Sequence, residues 1–251
     1  MGLVEDLVRG ARERARRIPF REPERKPAGP SLEAVLRGKG RLDVIAEFKR
    51  KSPSLGSIAE PDLVEQVRRY ERAGAAAVSV LTEPTRFGGS SDDLSRAASS
   101  VAAPVLMKDF VVDPNQVREA ARLGARAVLL ILRCLSESEL DELTSACAHY
   151  GLTPFLECHR LSEIERAIPH RAAVIGANNR DLETLEIDRG LAPRLLAEVP
   201  GDRVAVAESG YETAADVRDL RGLADAVLVG GALMKCGDPA RLERLIGEFR
   251  G

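Results

Sequence analysis

The chain has 251 residues, 44% of them hydrophobic, which is enough to bury a sizeable core in one large α/β domain or two smaller ones. Its net charge of −2 argues against general nucleic-acid binding, which would need a basic surplus. No apolar run approaches the roughly 18 residues of a membrane span, so we expect a cytoplasmic protein without a membrane partner.

The cysteines and histidines give no sign of a metal site. Four cysteines stand singly, without a CxxC pair or zinc-ligand spacing, and they indicate the reduced thiols of a cytosolic protein. For His149, His159 and His170 we expect surface positions or satisfied structural roles.

Residues 1–41 predict a helical extension ahead of the first strand. In MGLVEDLVRGARERARR the apolar residues around Leu3 and Leu7 share one side of an amphipathic helix. A polar loop with several prolines follows, and Ser31 can then cap a short helix that runs through Leu36.

From residue 42 to 251, short apolar runs alternate with longer amphipathic segments, and near-continuous apolar runs are typical of parallel strands covered by helices. The eight runs are 42–48, 76–81, 103–108, 127–132, 152–157, 172–177, 203–208 and 226–230. Eight such units in a chain of this length predict an α/β protein with a (β/α)8 TIM barrel and one domain in all. An open doubly wound sheet is the rival, but it usually carries a GxGxxG or GxxxxGK[ST] motif, and neither occurs here.

The segments between the runs have helical periodicity. Four of these predicted helices end in glycine, which commonly closes a helix. In the last one, Asp238 followed by Pro239 is an N-cap residue before a favoured first-turn residue. The predicted helices cover 61–74, 114–124, 136–151, 212–222 and 238–249.

Charged residues stand at the carboxyl ends of the predicted strands, where TIM barrels place their active sites. In VIAEFKRKSPS, Glu47, Lys49 and Lys51 alternate, so we expect their side chains on one face. Lys108 ends the third strand and Glu157 ends the fifth. Because buried charges are costly unless paired, we expect these acids and amines to converge on one small molecule, poised for proton transfer.

Small residues follow the last two predicted strands and indicate a phosphate site. Ser209 and Gly210 come after the seventh strand, and Gly230 and Gly231 come after the eighth. Glycine lets the backbone approach a ligand closely, and the loops after strands 7 and 8 form a common phosphate site in barrels. Ser52, in KSPS, could complete the phosphate clamp, and a plain loop turn explains it equally well.

Several motifs, taken in order, resemble those of the indole-3-glycerol phosphate synthase family of tryptophan biosynthesis: IAEFKRKSPS, LTEP, FGGS, PVLMKDF, NNRDL, AESG and LVGGALM. The match runs from about residue 42 to 235, and the extension before it is similar to the extra helical cap of that family. The resemblance implies a carboxy-lyase that closes the indole ring of 1-(2-carboxyphenylamino)-1-deoxyribulose 5-phosphate. The reaction releases CO₂ and water and uses no metal or organic cofactor.

The resemblance also implies a role for each charged residue. Lys108 would be the general acid that protonates the substrate ketone. A lysine suits this role if neighbouring cations or burial lower its pKa toward neutrality. Glu157 and Glu47 would stabilise the cationic ring-closed intermediate and move protons. Lys49 would pair with the substrate carboxylate, and Asn178 would orient the network.

Arg180 would help to orient the same network, and Glu208 would anchor hydroxyl groups of the substrate. The resemblance places the phosphate at Ser52, Ser209, Gly210, Gly230 and Gly231. It places the anthranilate ring in an apolar pocket formed by Pro53, Phe87, Phe110, Leu129 and Leu182. The implied partner is this phosphosugar-anthranilate substrate, bound by a monomer or a homodimer. Tyr211 departs from the family pattern, since it follows ESG where an aliphatic residue is usual.

Three alternatives remain open on the sequence. Another phosphosugar barrel enzyme, such as phosphoribosylanthranilate isomerase, would share the phosphate site but would not be expected to carry both lysine motifs. A Schiff-base aldolase would use Lys108 as its nucleophile. A catalytically inactive barrel kept for binding would have no need of the intact set of Glu47, Lys49, Lys108 and Glu157.

Overall fold

Eight parallel strands close into a barrel, and this confirms the predicted (β/α)8 fold. The computed structural model describes residues 2–38, 40–52, 56–57, 61–171 and 173–251. Each barrel strand pairs with the next one along the chain, and the last pairs with the first. The strands are β1 (Asp43–Phe48), β2 (Ala77–Leu81), β3 (Val105–Lys108), β4 (Ala127–Ile131), β5 (Thr153–Cys158), β6 (Val174–Asn178), β7 (Val204–Glu208) and β8 (Ala226–Val229).

In the part of the chain that the structure describes, two helices precede β1, and the others alternate with the strands. They are α1 (Leu3–Ala15), α2 (Leu32–Leu36), α3 (Leu63–Arg72), α4 (Ser91–Ala98), α5 (Pro114–Arg122), α6 (Glu137–Tyr150), α7 (Leu161–Ala167), α8 (Leu191–Leu196), α9 (Gly231–Met234) and α10 (Pro239–Arg250). The described residues also form 3₁₀ helices at Leu132–Cys134 and Ala214–Leu220. None of the helices in the described ranges combines the length and the apolar character needed to cross a bilayer.

The predicted helix ends are confirmed where a capping residue sets them. Ser31 Oγ accepts the backbone N–H of Ala34 at 3.1 Å, and the Asp238 carboxylate accepts two backbone N–H groups at the start of α10. Gly151 ends α6 with φ 73°, a left-handed conformation that costs glycine little. Local side-chain chemistry therefore sets these boundaries, as the sequence indicates.

The segment 212–222 differs from its prediction. The structure has a 3₁₀ helix there, and it covers only Ala214–Leu220. Asp216 accepts the backbone N–H groups of Glu212 and Thr213 at 3.0 Å and 2.8 Å, which fixes the two residues ahead of the helix in a capped turn. The preceding residues form the loop at the barrel mouth, so little chain is left for a longer helix.

The barrel strands are buried on both faces, which explains their near-continuous apolar runs. Every residue of β1, β4 and β7 is buried. Inside the barrel, the ring of Phe155 on β5 fills the space beside Gly176 on β6. A Cβ atom at position 176 would lie 2.3 Å from Cε1 of Phe155 and 2.6 Å from Oε1 of Glu208.

We expect Gly176→Ala to destabilise the protein, because no side chain fits between Phe155 and Glu208. Overpacking of a well-filled core typically costs about 1–3 kcal/mol, so the melting temperature should fall by several degrees. Thermal unfolding followed by circular dichroism measures the change. Gly247→Ala is the matched control, since nothing lies within 4 Å of a Cβ atom there and alanine favours the helix. Equal melting temperatures for the two variants would contradict this packing.

Helix α1 lies across the mouth of the barrel at the carboxyl ends of the strands. A hydrogen bond near each end of the helix holds it there. The backbone N–H of Leu3 donates to Oε2 of Glu183 at 3.0 Å, in the loop after β6. Nη2 of Arg14 donates to Oδ1 of Asp109 at 2.7 Å, directly after β3. Leu7 is buried between these two points. The apolar side predicted for this helix therefore forms a roof over the mouth.

Candidate active site

A cavity opens at the carboxyl ends of the strands, beneath α1. Each of the eight strands contributes at least one lining residue. The strand residues that line it are Glu47, Leu81, Lys108, Leu129, Ile131, Glu157, Asn178, Glu208, Leu228 and Val229. Among the described residues, no group of three or more histidine, cysteine or carboxylate side chains is arranged to hold a metal ion.

Four charged side chains form one layer across the top of the barrel. Glu47, Lys108, Glu157 and Glu208 come from β1, β3, β5 and β7, so they lie on alternate strands. TIM barrels fill their interior with layers of four side chains from alternate strands. Here the uppermost layer carries charges in place of apolar groups, and it forms the base of the cavity.

Lys108 is the centre of this layer. Its Nζ lies 3.0 Å from Oε2 of Glu157 and 3.0 Å from Oε2 of Glu208. The lysine side chain is 15% exposed, and the two carboxylates are 2% and 1% exposed. One ammonium group is therefore shared between two acids in a site with little water, where charge–charge interactions are strong.

The condition of a lowered Lys108 pKa is not met in the free site. Burial acts to lower this pKa, but the negative charges of Glu157 and Glu208, with a further contribution from Glu47, raise it above its ordinary value. The sequence shows that a lysine ends this strand, but it does not show which carboxylates flank the amine. The free site therefore holds Lys108 firmly protonated.

The two carboxylates beside Lys108 differ from each other. Burial raises the pKa of Glu157, but Lys108, the adjacent His159 and a hydrogen bond to Asn178 outweigh it and hold that pKa below its usual range. Burial raises the pKa of Glu208, and the charge of Glu157 adds to this against the opposing effect of Lys108, so it ends above its usual range. Glu157 thus stays ionised while Glu208 more readily takes a proton.

Glu47 and Lys49 form the second acid–amine pair. Lys49 Nζ donates a hydrogen bond to Oε1 of Glu47, and both residues line the cavity. The prediction that Lys51 shares their face is wrong. Strand β1 ends at Phe48, so the alternation stops there, and Lys51 is exposed in a short antiparallel pairing of 51–52 with 56–57.

Asn178 and Arg180 follow one another at the end of β6. Oδ1 of Asn178 accepts the backbone N–H of Arg180 at 3.0 Å, and Nη1 of Arg180 donates to the carbonyl of Leu185 at 2.8 Å. Both residues line the cavity. This loop therefore brings an amide beside Glu157 and a guanidinium group close to the pair of Glu47 and Lys49.

The loops after β7 and β8 meet at the other end of the cavity. Ser209 and Gly210 have φ 68° and φ 89°, both in the left-handed region. A Cβ atom at position 210 would lie 2.8 Å from Cγ2 of Ile187, so both conformation and space favour glycine there. Gly230 and Gly231 line the same end. These four residues lie in the loops after the last two strands, where TIM barrels commonly bind phosphate.

The apolar residues of the predicted ring pocket also line the cavity. Glu83 shapes one wall of it, because its carboxylate accepts the backbone N–H groups of Thr85, Arg86 and Phe87 at 2.9, 2.7 and 3.1 Å. The structure brings together four of the residues predicted for this pocket: Phe87, Phe110, Leu129 and Leu182. Pro53 and the side chain of Ser52 lie outside the described residues.

Sequence reasoning missed the link between the loops after β6 and β7. Nδ2 of Asn179 donates to the carbonyl of Ser209 at 2.9 Å and to the hydroxyl of Tyr211 at 2.8 Å. The second asparagine of NNRDL and the unusual Tyr211 were the available signals, but neither indicates its partner. Asn179 thus fixes the turn at Ser209. The roof residues Leu3 and Leu7 were also missed, although their apolar side was predicted.

Comparison with known proteins agrees with this geometry. A family model described as indole-3-glycerol phosphate synthase matches residues 10–245. An indole-3-glycerol phosphate synthase from Opitutus terrae is 47% identical over 233 residues, which are 90% of this chain and 86% of that protein. One from Leifsonia xyli subsp. xyli is 44% identical over 260 residues, covering 99% of this chain and 98% of that protein.

Solved structures of lower identity show the fold alone. A thiamine phosphate pyrophosphorylase from Pyrococcus furiosus superposes with a TM-score of 0.60 at 17% identity, over 83% of this chain and 94% of that one. A tryptophan synthase from M. tuberculosis gives 0.64 at 16% identity, over 88% and 98%. With the match of the family model over nearly the whole sequence and relatives at 44–47% identity, the chain belongs to the indole-3-glycerol phosphate synthase family.

Proposed function

We propose that this chain is an indole-3-glycerol phosphate synthase. It would close the indole ring of 1-(2-carboxyphenylamino)-1-deoxyribulose 5-phosphate and release CO₂ and water. A single geometric feature gives this function its main structural support. The ammonium group of Lys108 lies 3.0 Å from both Glu157 and Glu208 in the lining of a cavity. The residues proposed to bind the phosphate, Ser209, Gly210, Gly230 and Gly231, line the same cavity.

Lys108 is the proposed general acid of ring closure. The ring carbon that carries the carboxylate attacks the ketone carbon, and the ketone oxygen takes a proton from Nζ to become a hydroxyl group. Because the two acids raise the pKa of Lys108, the proton leaves only when the substrate draws the amine away from them. A general acid placed in this way typically contributes about 10²–10⁴-fold to the rate.

Glu47 and Glu157 stabilise the positive charge that ring closure leaves on the ring and its nitrogen. Lys49 pairs with the substrate carboxylate until that group leaves as CO₂, and the bonding electrons then return to the ring. The new hydroxyl group leaves as water with a proton that Lys49 is placed to supply. Glu47 or Glu157 takes a proton from the neighbouring ring carbon, so that a C–O bond and a C–H bond break as the C=C bond of the indole forms. Asn178 and Arg180 orient these catalytic groups, and Glu208 binds hydroxyl groups of the sugar chain.

We expect Ser209→Asp to raise KM for the substrate at least about tenfold, because a carboxylate beside the phosphate repels it. Aspartate tolerates the left-handed backbone that Ser209 adopts, so the fold should persist. Steady-state kinetics measures the effect. Ser209→Asn is the control, since it has nearly the same shape without the charge and should change KM far less. An unchanged KM in the aspartate variant would place the phosphate elsewhere.

The decisive experiment follows indole formation by absorbance and fluorescence. Purified protein should convert the carboxyphenylamino substrate and should leave phosphoribosylanthranilate unchanged. Borohydride treatment during turnover should trap no covalent adduct, since Lys108 acts here as an acid and not as a Schiff base. Turnover of phosphoribosylanthranilate alone, or a trapped adduct at Lys108, would overturn the proposal.

Three further features belong to the proposal. The chain would work as a single domain, 1–251, with residues 1–41 as a helical extension of the barrel. It would act in the cytoplasm, which fits its four free cysteines. It would be a monomer or a homodimer that binds no nucleic acid. Light scattering of the purified protein tests the oligomeric state directly.

A further inference from the structure

His159 lies behind Glu157, outside the cavity. It follows β5 directly, and its side chain is only 3% exposed. Its Nε2 lies 3.4 Å from Oε1 of Glu157, and its Nδ1 lies 3.8 Å from Oε2 of Glu163 on α7. Neither ring nitrogen has a hydrogen-bond partner among the residues that the structure describes. Since a buried polar nitrogen without a partner is costly, the two facing carboxylates are the groups with which the ring can pair.

Glu163 is itself held in a fixed position. Its Oε2 accepts the backbone N–H of His159 at 2.6 Å, and it lies in the first turn of α7, where the helix dipole favours a negative charge. Burial raises the pKa of Glu163, but the nearby His159, whose backbone N–H it accepts, and the charge of Arg133 outweigh this and hold the pKa below its usual range. The ring therefore lies between two carboxylates: a proton on Nε2 is directed at Oε1 of Glu157, and a proton on Nδ1 is directed at Oε2 of Glu163.

Glu157 has two oxygen atoms with different surroundings. Oε2 pairs with Lys108 at 3.0 Å, while Oε1 faces the imidazole of His159. When Lys108 gives its proton to the substrate, it no longer neutralises the acids beside it. The other residues next to Glu157 in the described structure include Asn178 and the thiol of Cys134, which carry no positive charge. Among these described neighbours, the imidazole is thus the group besides Lys108 that can offer Glu157 a positive charge, and it can add a hydrogen bond to that of Asn178.

We propose that His159, oriented by Glu163, is a positioning residue that holds Glu157 in its reactive geometry. It also stabilises the charge of Glu157 while Lys108 donates its proton to the substrate. This inference rests on the catalytic role proposed above for Glu157. His159 does not line the cavity, so it acts through Glu157 and not on the substrate. A small rotation of the Glu157 carboxylate would shorten the 3.4 Å separation to a hydrogen bond.

The test compares His159→Leu with His159→Asn in the full chain. Leucine fills the space without a hydrogen bond, whereas the asparagine amide can still donate to Glu157. We expect His159→Leu to lower kcat roughly 10- to 100-fold with KM within about twofold, because the interaction matters in the transition state. His159→Asn should recover kcat to within about fivefold of the unchanged protein. Glu163→Gln, which keeps the shape but not the charge, should lower kcat by an intermediate factor.

A double-variant cycle separates positioning from a general loss of structure. If His159 acts through Glu157, His159→Leu should cause no further loss of kcat in a Glu157→Gln background. Additive losses, or equal losses in the leucine and asparagine variants, would overturn the inference. If the leucine variant does not fold, the same cycle with Glu163→Gln replaces it, and additivity there has the same meaning.

The outcomes also distinguish this inference from the proposed function. Unchanged kcat in Glu157→Gln would remove the catalytic role of Glu157 itself, and the inference would fall with it. A large loss in Glu157→Gln together with unchanged kcat in both His159→Leu and Glu163→Gln would overturn the positioning role alone.

Discussion

Lys108→Ala is expected to lower kcat by roughly 10³-fold or more, which is at least the loss typical for removal of a general acid. We expect KM to change by less than about threefold. The methyl group can neither protonate the ketone nor balance Glu157 and Glu208. Glu208, whose pKa burial already raises, can take up a proton, so the variant should still fold. Single-turnover and steady-state kinetics measure the loss, and binding of a phosphorylated substrate analogue checks the phosphate end.

Lys108→Arg is the control for charge alone. A guanidinium group keeps the positive charge beside the two acids but does not titrate usefully in proteins. We therefore expect a stable but nearly inactive enzyme. A kcat like that of the unchanged protein in either Lys108 variant would refute the acid assignment, whatever the effect on KM.

Glu157→Gln is expected to have the second-largest effect, a fall in kcat of about 10²–10³-fold. Glutamine has nearly the same shape, but it carries no charge to stabilise the cationic ring-closed intermediate. It also removes one of the two negative charges that flank Lys108 at 3.0 Å. Because shape is kept, KM should stay close to its original value, so kcat at saturating substrate is the quantity to measure.

Glu243→Gln supplies the matched control for Glu157→Gln. Glu243 is exposed on α10 and does not line the cavity, so the same chemical change there should leave kcat unchanged. Equal kinetic effects of the two substitutions would show that Glu157 contributes only to net charge. The melting temperatures of both variants exclude a loss of folded protein as the cause.

The architecture was predictable because each βα unit carries its own signal. Buried parallel strands appear in the sequence as apolar runs. Capping residues such as Ser31 and Asp238 indicate where helices begin. The convergence of Lys108, Glu157 and Glu47 followed from the barrel rule alone, which places strand carboxyl ends at one mouth. For these residues, the order along the chain was sufficient to predict a shared site.

The pairing within the site was not predictable in the same way. Which acid faces Lys108 depends on side-chain directions across different strands, so the raised pKa of this lysine was not predicted. Lys51 was misplaced because a period of two holds only while the strand continues, and β1 ends at Phe48. The hydrogen bonds of Asn179 to Ser209 and Tyr211 join residues about thirty positions apart in the sequence. No local sequence pattern indicates such a contact.

The position of α1 over the barrel mouth determines at which end of the chain the protein is best attached to a solid support. Because Glu183 holds the backbone of Leu3 at the rim, an affinity tag or solid support joined ahead of that residue emerges beside the entrance. Arg250 instead lies 3.4 Å from Asp43, the first residue of β1, at the opposite end of the barrel. A tether placed after Arg250 therefore leaves the entrance facing the solution.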